Sequence, residues 1–182
     1  MDECYEASGY KASYGLNKFG GDENMAVMRR VIDESLDAQD AIHRIQRTWL
    51  FSVNISDAVK EKAVDWHLAE QRSRGLDIFR LSVSVQESPV SFPGNNVERH
   101  GRHLNPNFLR SVTMADRLSG HLEHRRERLT VFELGGGLGH LAHVLKTLHP
   151  TTFYVIVDLP DTLFFSYQFL KLTIPTALCY HA

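Results

Sequence analysis

The sequence predicts an α/β fold in which a mainly helical amino-terminal region precedes a parallel sheet whose first β–α–β unit is present. Two observations carry this. Between Glu23 and Leu122 apolar residues recur mostly at helical spacing. From Leu129 onward two short apolar runs, Leu129 to Leu134 and Phe153 to Val157, flank a glycine-rich turn and a stretch of helical period. Parallel strands require such a crossover, and the turn after the first strand lies at the carboxyl edge of the sheet, where open α/β folds bind ligands.

The elements follow in order. Residues 1–22, with Gly9, Gly15, Gly20 and Gly21 among Ser, Asn and Tyr, hold no sustained period and are expected to form a loose arm. From Glu23 to Leu50 the residues Met28, Val31, Ile32, Leu36, Ile42, Ile45 and Trp49 recur at near-helical spacing with charges between them, which predicts one or two amphipathic helices. A further helix is expected from Ser56 or Asp57 as N-cap to Gly75 as the left-handed cap residue, with Val59, Ala63, Trp66 and Ala69 as its core stripe. Leu76 to Gln86 fits either strand or helix. Glu87 to Asn107 holds Pro89, Pro93, Gly94, Gly101 and Pro106, so it is expected as an ordered loop or lid rather than a regular element. Asn105 or Asn107 then opens a helix carrying Leu109, Val112, Ala115, Leu118 and Leu122. The expected organisation is an arm over 1–22, a helical cap over 23–124 and a ligand-binding domain over 125–182.

That last part is the informative one. Leu129 to Leu134 suits a buried parallel strand. After it, Leu138, Leu141, Val144, Leu145 and Leu148 mark one helix face that Pro150 ends. Phe153 to Val157 is the returning strand, Asp158 closes it, and Thr162 to Leu172 forms a helix before Pro175, with a third strand beginning at Thr176 to Tyr180. The glycines have a physical reason to be there, because a ligand approaches the backbone closely only where no Cβ intrudes and positive φ is cheap. Glu133, Gly135, Gly136, Gly137, Gly139 and Asp158 are therefore the candidate binding residues. A dinucleotide fingerprint places a third glycine three after the second, but His140 stands three after Gly137. A pyrophosphate would also be repelled by Glu133.

This Glu-x-Gly-x-Gly-x-Gly pattern resembles the class I S-adenosylmethionine-dependent methyltransferases, and Asp158-Leu159-Pro160 after the second strand is similar to their sugar O-methyltransferase subgroup. The resemblance covers about a quarter of the chain. It implies a Rossmann-like domain and S-adenosylmethionine as cofactor. It also implies that Glu133, Gly135, Gly137 and Gly139 surround the methionine moiety and ribose, that Asp158 accepts from both ribose hydroxyls, and that the acceptor is a small-molecule or glycan sugar. Glu87-Ser88-Pro89 and Gly101-Arg102 with Asn105 and Leu109 resemble, less specifically, the segment preceding that domain. No catalytic residue is matched. Because the family sheet continues well beyond the strands found here, the chain is expected to be an amino-terminal portion with little methyl transfer of its own. Its unpaired sheet edge would invite self-association or a partner chain. The alternatives are an NAD-dependent oxidoreductase, since Asp158 can also hold an adenosine ribose, and a non-catalytic interaction protein.

Composition bounds the rest. The 182 residues are 43% hydrophobic, enough for one domain that buries roughly two thirds of its unfolded surface. A net charge of −2 and a pI near 6.5 supply no general attraction to nucleic acid or anionic membrane. Cys4 and Cys179 form neither a disulfide framework nor a zinc knuckle, which fits a cytoplasmic setting. The opening residues carry Asp2, Glu3 and Glu6 with no apolar run, so neither a secretion signal nor a membrane span is expected. The histidine pairs His100/His103, His121/His124 and His140/His143 share helical faces, yet no third ligand accompanies them and no metal site is expected. Arg125, Arg126 and Arg128 are expected as a solvated linker.

Overall fold

The computed structural model describes residues 21–48, 56–76, 87–122 and 130–174. The arm up to Gly20, the ambiguous segment from 77 to 86, Arg125, Arg126, Arg128, the third strand at 176–180 and both cysteines lie outside the described residues.

The first helical run is two helices, α1 (Gly21–Ile32) and α2 (Ala38–Thr48). The break has a local cause. Glu34 adopts a φ of +57°, Ser35 and Leu36 both return their amides to the Arg30 carbonyl, and Asp37 Oδ1 accepts the Gln39 amide at 2.7 Å to cap the second helix. Helix α3 (Asp57–Ser73) follows, and Gly75 ends it at φ +73° with its amide on the Arg72 carbonyl. Ser56 holds the N-cap position without a side-chain cap bond.

The expected core stripe of α3 is corrected: Val59 and Trp66 are 52% and 61% exposed, and Ala69 is exposed too. The buried face is instead Val64, Leu68 and Gln71. A glutamine hid that face from a hydrophobicity pattern. Gln71 Nε2 donates to the Leu109 carbonyl at 3.0 Å and to Thr113 Oγ1 at 2.9 Å, which compensates the buried amide nitrogen, while Oε1 has no hydrogen-bond partner among the described residues.

Residues 87–105 are ordered, as expected, but not free of regular structure. A single 3-10 turn at Pro93–Asn95 leads into an antiparallel hairpin of β1 (Val97–Arg99) and β2 (Arg102–Leu104). His100 and Gly101, at φ +53° and +73°, make the two-residue turn that favours hairpin twist. Three-residue strands are too short to show an alternation. Arg99 fixes the hairpin on α3 by a two-pronged bond to Asp65, at 2.9 and 3.2 Å. Helix α4 (Pro106–Leu122) starts with proline in its first turn, and Asn105 caps it by accepting the Asn107 amide at 2.8 Å. Leu109, Val112 and Ala115 are buried as the spacing predicts.

The β–α–β unit is present: β3 (Thr130–Leu134), α5 (His140–Leu148) and β4 (Phe153–Val157), with the strands parallel and in register from Thr130↔Phe153 to Leu134↔Val157. Helix α6 (Pro160–Thr173) follows. The chain is thus α/β, with two small two-stranded sheets among the described residues. Helix α5 begins at His140 rather than Leu138, because Gly139 is its N-cap at φ +88° and leaves Leu138 in the turn.

Helix α5 separates two cores. Leu138 and Ala142 pack with α1, α2 and α6 through Met28, Ile42, Ile45, Phe165 and Phe169. Leu141, Val144 and Leu145 pack with α3, α4 and the hairpin through Val64, Leu68, Phe108 and Leu109. Every residue from His140 to Leu145 is consequently buried, as befits a helix enclosed on all sides.

The strands depart from expectation. Tyr154 and Ile156 pack against the cores, but on the other face Phe132, Leu134, Phe153 and Val157 are 72%, 87%, 62% and 48% exposed. Strand β3 is therefore covered on one side only, because among the described residues every helix that packs on the sheet does so through the opposite face. Its sole strand neighbour there is β4, which leaves its other edge unpaired.

Candidate functional site

A cleft of about 520 Å³ opens between α4 and the carboxyl end of β3. One wall is Glu133, Leu134 and the backbone of Gly135, Gly136 and Gly137; the other is a face of α4 on which Arg110 and Met114 are exposed, Asn107 is half-buried and Ser111 is buried. Four of the six sequence-predicted residues are therefore brought together. Gly139 and Asp158 are not in the lining.

Each glycine does something different. Gly135, at φ +75°, has open space where a side chain would stand. A Cβ on Gly136 would come within 2.7 Å of the Ile156 side chain and 2.9 Å of Glu133 Oε2, so its absence is what lets the carboxyl group fold back over the turn. Gly139 is a packing glycine: a Cβ there would lie 3.0 Å from Leu170 Cδ1. It allows the start of α5 to approach α6 closely. Ser166 Oγ, also from α6, lies within hydrogen-bond distance of the Gly137 and Thr162 carbonyls, which share its one proton.

Asp158 closes the turn from below. Its Oδ2 accepts the Gly137 amide and its Oδ1 accepts the Leu159 amide, each at 2.8 Å. The Gly135 amide is taken by the Val157 carbonyl at 2.8 Å. The turn is held to the end of β4 at two points.

Glu133 is partly buried, and that burial raises its carboxyl above the usual range; a hydrogen bond from Tyr154 Oη at 2.8 Å and the positive charge of Arg110 oppose the rise, while Asp158 adds to it. Tyr154 was not picked out by sequence. It stands two residues before Ile156, the register partner of Glu133, so it shares that face of the sheet as a diagonal neighbour. The parallel register was the signal that could have found it. Burial and the adjacent carboxylate push the Tyr154 phenol upward, so it remains a donor.

His140, also in the cleft lining, is buried, and that burial with the nearby His143 lowers its pKa to about 4. His143 is lowered to about 4 by burial as well. Both rings are neutral at pH 7 and both pack on Phe169. Glu87, from the segment before the hairpin, comes within 3.9 Å of His140 Nε2. Burial raises Glu87 to about 8, against the opposing bond from Ser91 Oγ at 2.5 Å. That segment is tied to two helices, by a hydrogen bond between Ser88 Oγ and Thr173 Oγ1 on α6 at 2.6 Å and by the Phe92 amide to Gln46 on α2, while Glu87 lies beside α5 without a hydrogen bond to His140. It lines a second cavity of about 510 Å³ together with Asn96 and Arg102.

Among the described residues no group of three or more His, Cys, Asp or Glu side chains is gathered for a metal ion, and no helix is long and apolar enough to cross a membrane. What fold and site define is an α/β chain with a glycine-walled cleft at the carboxyl edge of a parallel strand pair, carrying one acidic and one basic side chain on facing walls. No known family, curated protein or solved structure matches the chain.

Proposed function

We propose that the cleft binds S-adenosylmethionine and that the chain belongs to a Rossmann-like O-methyltransferase acting on a sugar hydroxyl. The observation that carries this reading is the placement of Glu133 beside the bare backbone of Gly135 to Gly137, which suits a cationic amino-acid moiety and disfavours a pyrophosphate. Glu133 takes the ammonium of the methionine end, and the glycine turn lets the backbone close on the ligand. Asp158 lies outside the cleft lining with one backbone bond on each oxygen, and the acceptor capacity left on them is what a ribose extending past the glycine turn would use. The cofactor supplies the electrophilic methyl group. The protein's share is to hold the acceptor oxygen in line and exclude water.

Calorimetric titration of the chain with S-adenosylmethionine and with NAD tests the reading. Binding of the first and not the second is expected; tighter binding of NAD would replace it with the oxidoreductase alternative. A second, non-catalytic reading is favoured by the bare apolar face of Phe132, Leu134, Phe153 and Val157, which suits an interaction surface. Failure of both cofactors to bind in the titration would leave that reading standing.

A further inference from the structure

We infer that Arg110 is the residue that recognises the α-carboxylate of the ligand, so that Arg110 and Glu133 together select an amino-acid zwitterion from facing walls of the cleft. The inference rests on the cofactor reading above and assigns a role to a residue outside the glycine motif. Among the described residues that line the cleft, Arg110 is the one cationic side chain and Glu133 the one carboxylate, His140 being neutral. They come from different elements, α4 and β3.

The surroundings of Arg110 support this assignment. It is exposed on α4, on the turn that carries Asn107, Ser111 and Met114 into the cleft, while Leu109 and Val112 point into the core. Its guanidinium makes no salt bridge among the described residues, unlike Arg74, Arg99 and Arg117, which pair with Asp116, Asp65 and Glu70. Its charge is nevertheless felt by the Glu133 carboxyl. Glu133 in turn has its Oε2 fixed by Tyr154. A ligand carrying an ammonium and a carboxylate on one carbon satisfies both groups at once. A planar guanidinium suits a carboxylate because it offers two parallel donors, and the pairing strengthens when the ligand displaces water from the cleft. An adenine nucleotide without an amino-acid end leaves Arg110 without such a partner.

The test separates this inference from the reading it rests on by using two ligands that share adenosine and a thioether. S-adenosylhomocysteine carries the amino-acid end; 5′-methylthioadenosine lacks it. Affinities for both are measured by calorimetry on the 182-residue chain and on Arg110→Gln and Arg110→Lys. Circular dichroism checks the fold, which an exposed position should leave intact. Loss of a charge-assisted pair predicts roughly ten- to hundredfold weaker S-adenosylhomocysteine binding in Arg110→Gln. Methylthioadenosine binding should be unchanged, and Arg110→Lys should recover part of the loss. Equal weakening of both ligands, or no weakening of either, overturns the carboxylate assignment while the cofactor reading stands. A wild-type chain that binds neither ligand overturns both.

Discussion

Replacing Asp158 by alanine removes the carboxylate that ties the glycine turn to the end of β4, and its effect should appear before any ligand is added. Two backbone amides, those of Gly137 and Leu159, lose charged acceptors at 2.8 Å. A hydrogen bond to a charged group contributes about 1.5 to 3 kcal/mol. The sum of two is an upper bound, since Asp158 and Gly137 are only half-buried and water can replace part of what is lost. A net cost near that of one such bond, about 1.5 to 3 kcal/mol, is expected, and for a chain of this size it corresponds to a fall in Tm of roughly 4 to 10 °C. Asp158→Asn keeps one carbonyl oxygen and should fall between. The assay is thermal and urea unfolding followed by circular dichroism, with S-adenosylmethionine affinity measured separately at a temperature where each variant is folded. On the proposed ribose role, Asp158→Ala should also weaken that binding roughly ten- to hundredfold. An alanine variant as stable as the wild type would show that the turn is not held by this carboxylate. A destabilised variant with unchanged affinity would confine Asp158 to a structural part.

Other outcomes follow from the same geometry. Gly139→Ala combines a left-handed backbone at φ +88° with a contact of 3.0 Å to Leu170 Cδ1, so a loss of about 1 to 3 kcal/mol is expected in urea unfolding; Leu170→Ala in the same chain should relieve the contact but not the backbone strain, and strict additivity of the two would refute the packing role. Gly137→Val should abolish cofactor binding more completely than Asp158→Ala, because valine resists the φ of +57° and fills space beside the cleft; normal binding by a folded variant would contradict the close approach. Stability should depend on pH from both sides. Glu87, raised to about 8 from 4.5, binds more proton when folded, so stability falls as pH climbs through that window. His140 and His143, lowered to about 4 from 6.5, bind less, so stability falls as pH drops from 6.5 toward 4. An optimum at about pH 6.5 is expected in Tm scans, and Glu87→Gln should flatten the alkaline limb and, because its window overlaps that of the histidines between pH 4.5 and 6.5, steepen the acid limb there; an unchanged alkaline limb in that variant would discount the buried acid. The apolar sheet face predicts that the 182-residue chain self-associates and that Leu134→Lys reduces the association in sedimentation velocity; a monomeric wild type would refute this.

The parts legible in the sequence were those in which a local pattern reports a local cause. A β-branched run, a glycine turn and a helical period sufficed to place β3, α5 and β4, because each depends on neighbours a few residues away. The caps at Asn105 and Gly75 were legible for the same reason. The buried face of α3 was not, since Gln71 becomes a core residue only where Leu109 and Thr113 of α4 meet its amide. The hairpin escaped notice because three-residue strands carry no period. In the site, the motif named the glycine wall, but only tertiary structure decided what stands opposite it. Arg110, Asn107, Ser111 and Met114 recur every three or four residues along α4, a spacing shared by any helix face. Their meeting with Glu133 depends on how α4 packs on α5 across the second core. The division between Gly135 to Gly137 at the cleft and Gly139 against Leu170 has the same origin. All are glycines in one run, and what each Cβ would strike is set by β4 and α6, elements the motif does not contain.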